Sequence, residues 1–114
     1  MSLSKKQQEF TRCISQLINF ATSQGFGLTF GDAYRDPRLH GAPGIKLSYS
    51  AANSCHKVRL AVDFNLFVDG KYISGDCEEY QLLGQAWKSM NPLCRWGGDF
   101  SDQNHFSFEH DGYK

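Results

Sequence analysis

The sequence predicts an α+β fold, with helices packed on one face of a small, mainly antiparallel sheet and a polar site on the other. Three observations carry that prediction. An amphipathic helical pattern opens the chain. An alternating run from Ala61 to Val68, followed by a hairpin turn, marks a central strand. A second helical pattern then separates that strand from two short strand candidates near the end. At 114 residues the chain has room for one core, so residues 1–114 are read as a single domain.

The first helix starts from a capping-box pattern at Ser4 and Gln7 and carries Phe10, Ile14, Leu17, Ile18 and Ala21 on one stripe until Gly25 stops it. A short strand around Leu28 to Phe30 follows and leads to a loop bearing Tyr34 and Arg35. Asp36 to Asn53 contains two prolines and two glycines, lacks periodicity and reads as irregular chain of the kind that borders sites. In the central strand Val62, Phe64, Leu66 and Val68 point to the core, while Ala61, Asp63, Asn65 and Phe67 point the other way. Asp69-Gly70 is hairpin-turn chemistry leading into Lys71 to Ile73. The second helix runs from about Asp76 to Met90 with Tyr80, Leu83, Trp87 and Met90 on one stripe. Gly84 weakens it, and Asn91-Pro92 ends it. Arg95 to Trp96 and His105 to Phe108 are the last strands, separated by the turn-rich Gly97-Gly98-Asp99.

Composition narrows the function classes. Twelve basic and twelve acidic residues cancel, so no overall field draws the chain to nucleic acid or to an anionic membrane. Tyr34 to Leu60 is locally basic and the end of the chain acidic, which is either a cationic face suited to a carboxylate-bearing substrate or an ordinary solvated surface. No signal-type apolar run follows the lysines near the start, and no stretch of ~18 apolar residues occurs. The expectation is a protein made in the cytoplasm without a signal peptide and without membrane insertion. Cys13, Cys55, Cys77 and Cys94 form no Cys-x-x-Cys pair and are read as free thiols.

His56, Asp63, Asp102 and His105 carry the chemistry. Two imidazoles and a carboxylate make a suitable zinc set with an open coordination position, and the remaining carboxylate is then available for proton transfer. Fully extended, the chain from His56 to Asp63 would span ~23 Å, so it must bend, near Lys57 to Leu60, for His56 to meet Asp63 on the solvent side of the strand. Asp102 and His105 would face opposite sides of one strand, so Asp102 belongs on the turn before it. Phe106 and Phe108 anchor that strand while His105 and Ser107 occupy its polar face. Each histidine also has a structural reading as a hydrogen-bonded group, and spacing alone leaves both readings open. Trp96 is either a cleft wall in contact with substrate or a core residue, and Asp99 is ordinary turn chemistry. His40 and His110 read as solvated, with a place lining the cleft as the alternative for either. Cys55 points away from its neighbour His56, which argues against a thiol nucleophile.

Ser54-x-His56, Ala61-x-Asp63, Trp96-Gly97-Gly98-Asp99 and Asp102-x-x-His105, in that order, resemble the zinc-site motifs of the D-alanyl-D-alanine carboxypeptidase superfamily, specifically its phage-type L-alanyl-D-glutamate peptidases. Tyr34-Arg35 resembles that family's substrate-side arginine motif. The resemblance implies one zinc ion per chain, held by His56, Asp63 and His105. It makes Asp102 the general base and acid, Arg35 the group that holds a substrate carbonyl or the developing oxyanion, and Ser54 a supporting residue. The family often has glycine where this chain has Arg59. Its carboxypeptidase and dipeptidase branches usually carry glutamate where this chain has Asp102, which resembles the endopeptidase branch.

The function so implied is an endolysin-like, monomeric zinc endopeptidase acting on the stem peptide of peptidoglycan. A separate pore-forming protein would release it to the cell wall and periplasm. The other readings are a D-Ala-D-Ala carboxypeptidase or dipeptidase, and a zinc-stabilised wall-binding module without turnover, which would have no need of Asp102.

Overall fold

Helix α1 spans Leu3–Ser23 and buries Phe10, Cys13, Ile14, Leu17 and Ala21, the i, i+3, i+4, i+7 stripe of a helix packed on one side. The computed structural model describes residues 2–31, 55–75, 77–100 and 102–111, with the backbone alone at His56 and Lys57. Ser2 caps α1, its hydroxyl accepting from the Lys5 amide at 3.2 Å, so the helix begins ahead of the Ser4 and Gln7 pattern. Gln7 is used elsewhere, donating to the Val58 carbonyl at 2.9 Å. Gly25, at φ +81°, supplies the left-handed residue that ends the helix.

Strand β1 (Phe26–Phe30) covers one edge of the central strand β2 (Ala61–Val68). The other edge of β2 is shared. β5 (His105–Phe108) pairs with Ala61 to Asp63, and β3 (Lys71–Ile73) pairs with Leu66 to Val68. β4 (Cys94–Trp96) continues beyond β5, giving the order β1-β2-β5-β4 with every pairing antiparallel. The turn between β2 and β3 uses positive φ at both Asp69 (53°) and Gly70 (77°), the geometry that matches strand twist.

Helix α2 (Glu78–Met90) buries Tyr80, Leu83, Gly84 and Trp87. It lies with α1 on the face made by Phe64, Leu66, Phe106 and Phe108, all essentially inaccessible. Phe10 meets Trp87 and Phe108 edge-on, with ring centroids 5.8 and 5.3 Å apart, and Trp87 meets Phe106 at 6.1 Å. Each such side chain contributes about 1.5–3 kcal/mol by leaving water. The Trp87 indole also donates to the carbonyls of Arg95 and Ser107 at 2.9 and 3.2 Å, fixing α2 to β4 and β5.

Two close approaches explain why glycine stands at positions 84 and 98. A Cβ on Gly84 of α2, or on Gly98, would overlap the Trp96 indole, which lies between them. Gly84 therefore accepts a helix penalty of about 1 kcal/mol relative to alanine in exchange for the seat of a tryptophan.

Candidate functional site

β2 and β5 bring the first two candidate side chains together. Asp63 stands directly opposite His105 in the antiparallel register, and Asp63 Oδ1 lies 3.1 Å from His105 Nδ1. Both project from the sheet face opposite Phe64 and Phe106, as the alternation requires. The expected solvent exposure of Asp63 is corrected, because Asp63 is 7 % and His105 4 % exposed. Burial of a carboxylate and an imidazole is costly unless they are paired, and here each faces the other. The end of β1 closes in on them. The Gly31 amide donates to the Asp63 carbonyl at 2.7 Å, and a Cβ on Gly31 would lie 3.2 Å from that of Asp63.

His56 lies in a short 3-10 turn, Cys55–Val58, immediately before β2. Leu60 N–H donates back to the Cys55 carbonyl at 2.9 Å, and Arg59 adopts φ +56°, so the bend between His56 and Asp63 falls where the chain length demanded one. Arg59 thus takes up the left-handed conformation that glycine adopts most easily. The turn is anchored to β5: the Cys55 thiol donates to the Phe108 carbonyl at 3.3 Å, and Phe108 N–H donates to the Leu60 carbonyl at 2.9 Å. Burial pushes the Cys55 thiol up to about 11, so it stays protonated and is no nucleophile at neutral pH. The His56 side chain, Ser54, Arg35 and His40 lie outside the described residues.

Asp102 precedes β5 in an irregular turn and is exposed. Its backbone is fixed at both ends, its amide donating to the Gly97 carbonyl at 2.7 Å and its carbonyl accepting from His105 N–H at 3.1 Å. A Cβ on Gly97 would overlap the Asp102 carbonyl and stand 2.7 Å from His105 Cβ. The next two carbonyls are also held: Gln103 accepts from the Trp96 indole at 2.7 Å, and Asn104 from Phe64 N–H at 2.9 Å. The Trp-Gly-Gly sequence is therefore a backbone device that sets the Asp102 turn against the His105 strand. Trp96, read as a cleft wall or a core residue, is only 4 % exposed and buried in the interior, so it supports that turn from within. Asp99 pairs with Lys88 of α2, Oδ2 to Nζ at 3.0 Å. His110 Nδ1 accepts from Lys6 Nζ at 3.2 Å, tying the segment after β5 to α1 rather than standing in solvent.

The model of the D-alanyl-D-alanine carboxypeptidase family matches residues 48–108, more than half of the 114. The chain belongs to that family. It is accordingly a peptidase that acts on peptidoglycan-like substrates. The matched span includes His56, Asp63, Trp96, Asp102 and His105, and begins after Arg35. No curated protein matches the chain.

Peptidases of this family are generally zinc-dependent. Among the described side chains two donors converge, and no group of three His, Cys, Asp or Glu does. The chemistry of the two fits zinc, which takes imidazole nitrogen and carboxylate oxygen. Their place on two hydrogen-bonded strands suits a rigid ligand pair.

Sequence reasoning missed Tyr80 as part of this region. Its hydroxyl donates to the Phe64 carbonyl at 2.9 Å, tying α2 to β2 where the edge of that strand passes from β5 to β3. Burial pushes the phenol up to about 12. Only the helical position of Tyr80 was visible in the sequence; the gap its hydroxyl fills depends on how far β3 and β5 extend along β2.

Proposed function

We propose that this chain is a zinc-dependent peptidoglycan endopeptidase that cuts the L-alanyl-D-glutamate bond of the stem peptide, working at the cell wall after release through a pore made by another protein. The observation that carries the reading is the buried Asp63–His105 pair with the Asp102 turn bonded to the same strand. His56, Asp63 and His105 would hold one zinc ion. Zinc, when bound, supplies a Lewis acid and lowers the pKa of its water toward ~7.

The protein's own residues do the rest. Asp102 is exposed and carried by a backbone bonded at three successive carbonyls, so its carboxylate can take a proton from water and return it to the leaving amine without a large reorganisation. Arg35 supplies a planar, permanently charged donor for the substrate carbonyl as it gains negative charge. An aspartate rather than a glutamate before the second histidine supports the endopeptidase reading over the carboxypeptidase one, and a carboxylate in that position supports catalysis over simple wall binding.

The test is digestion of intact sacculi by zinc-loaded protein, with and without chelator, followed by identification of the new termini. New alanine carboxyl and glutamate amino termini that vanish with chelator are expected. Release of free D-alanine would instead make it a carboxypeptidase, and no new termini would leave the binding-module reading.

A further inference from the structure

A notch of about 180 Å³ opens beside Asp102 where the edge of β2 changes partner from β5 to β3. Tyr72 and Ser74 line it from β3 and its exit, Asp102, Gln103 and Asn104 from the turn before β5, and Tyr80 from α2. Asp102 belongs to both the notch and the site described above, and Tyr72, opposite Phe67, stands on the sheet face that also bears Asp63. Its volume equals roughly six waters at ~30 Å³ each, enough for one small residue of a peptide rather than a long side chain.

The chemistry of this lining is uneven. It offers hydroxyls and carboxamides and one carboxylate, and among the described residues it contains no lysine, arginine or histidine. A substrate carboxylate entering it would meet the Asp102 carboxylate, while the cations of the proposed site, zinc and Arg35, are engaged by the water and by the carbonyl of the bond being cut. A carboxamide would meet hydrogen-bond partners for both its oxygen and its nitrogen. If Asp102 returns a proton to the leaving amine, that amine must come within hydrogen-bond reach of it, so the residue bearing the amine is the one that lies against the notch.

We infer that the notch bounded by Tyr72, Ser74, Asn104 and Asp102 selects the residue on the leaving-amine side of the cut bond in its amidated, uncharged form. In the stem peptide this is D-glutamate whose free carboxyl has been converted to carboxamide. The inference rests on the proposed bond and names the form of substrate that the enzyme cuts best.

The experiment uses two synthetic stem peptides that differ only in carboxylate or carboxamide on the D-glutamyl residue, with kcat/KM measured for zinc-loaded protein and for Ser74→Lys. The amidated peptide should be cut at least ~10-fold faster, the equivalent of one pK unit of like-charge interaction. Ser74→Lys places a cation at the exposed rim and should shrink or reverse that ratio. Equal rates on the two peptides, a faster rate on the acid, or a ratio that Ser74→Lys leaves unchanged would overturn the inference while leaving the proposed bond intact. Cleavage of neither peptide at the alanyl bond would overturn both.

Discussion

Asp63 on β2 and His105 on β5 face each other across one antiparallel register position, with carboxylate oxygen and ring nitrogen 3.1 Å apart and both side chains buried. Such a pair depends on both members, because truncating one leaves the other desolvated. His105→Ala should therefore lower stability by about 1–3 kcal/mol even with chelator present, when any contribution from metal is absent. Urea denaturation of the two proteins in chelator measures it. Equal midpoints would mean that the pair contributes nothing without metal.

Asp102 is assigned proton transfer and no part in holding metal. Asp102→Asn should keep its zinc and its fold while losing at least ~100-fold in activity on purified peptidoglycan, the ordinary contribution of a positioned acid-base group. Turnover close to that of the unaltered protein would remove Asp102 from the mechanism.

The two glycines before and beside the Asp102 turn should fail in different ways. A methyl on Gly97 overlaps the Asp102 carbonyl, so Gly97→Ala should displace the turn and reduce activity beyond its effect on stability. A methyl on Gly84 overlaps the Trp96 indole on the helix side, so Gly84→Ala should destabilise by about 1–3 kcal/mol, reversing the usual gain of alanine in a helix. Thermal melts together with rates on the folded fraction separate the two effects.

The buried weak acids set an alkaline limit. Burial raises Cys55 to about 11, and Cys94 and Tyr80 to about 12, above ordinary values of 9.0 for the thiols and 10.0 for the phenol. The folded protein therefore holds these protons more tightly than the unfolded chain. The stability they contribute is complete below pH 9, begins to fall as the unfolded thiols and then the phenol ionise, and is lost as pH passes 11 to 12. Urea midpoints measured at pH 8, 9.5 and 11 should already be lower at 9.5 than at 8 and lower again at 11, whereas a midpoint unchanged to pH 11 would contradict the burial of these groups.

The β2 alternation alone assigned Val62, Phe64 and Leu66 to the helix-covered face and Asp63 to the other, because successive side chains of a strand point to opposite faces. The same logic put Asp102 on a turn, and chain length required the bend that Arg59 makes. The burial of Asp63 was not legible, since alternation assigns a face and says nothing of what covers it. Nor was the reason for Gly84, Gly97 and Gly98: each yields space to Trp96 or to the Asp102 carbonyl, groups distant in local pattern and adjacent only after the sheet forms. The start of α1 was misplaced because Ser2 and Ser4 offer the same capping chemistry, and the two differ only in where Gln7 finds its partner.

The most direct measurement is zinc content per chain for the unaltered protein and for His56→Ala, Asp63→Ala and His105→Ala, each purified folded and dialysed against buffered zinc. One ion per chain in the unaltered protein and a marked loss in all three variants is the predicted result. Full zinc in any of the three, with the fold intact, would contradict the ligand set on which the proposed chemistry depends.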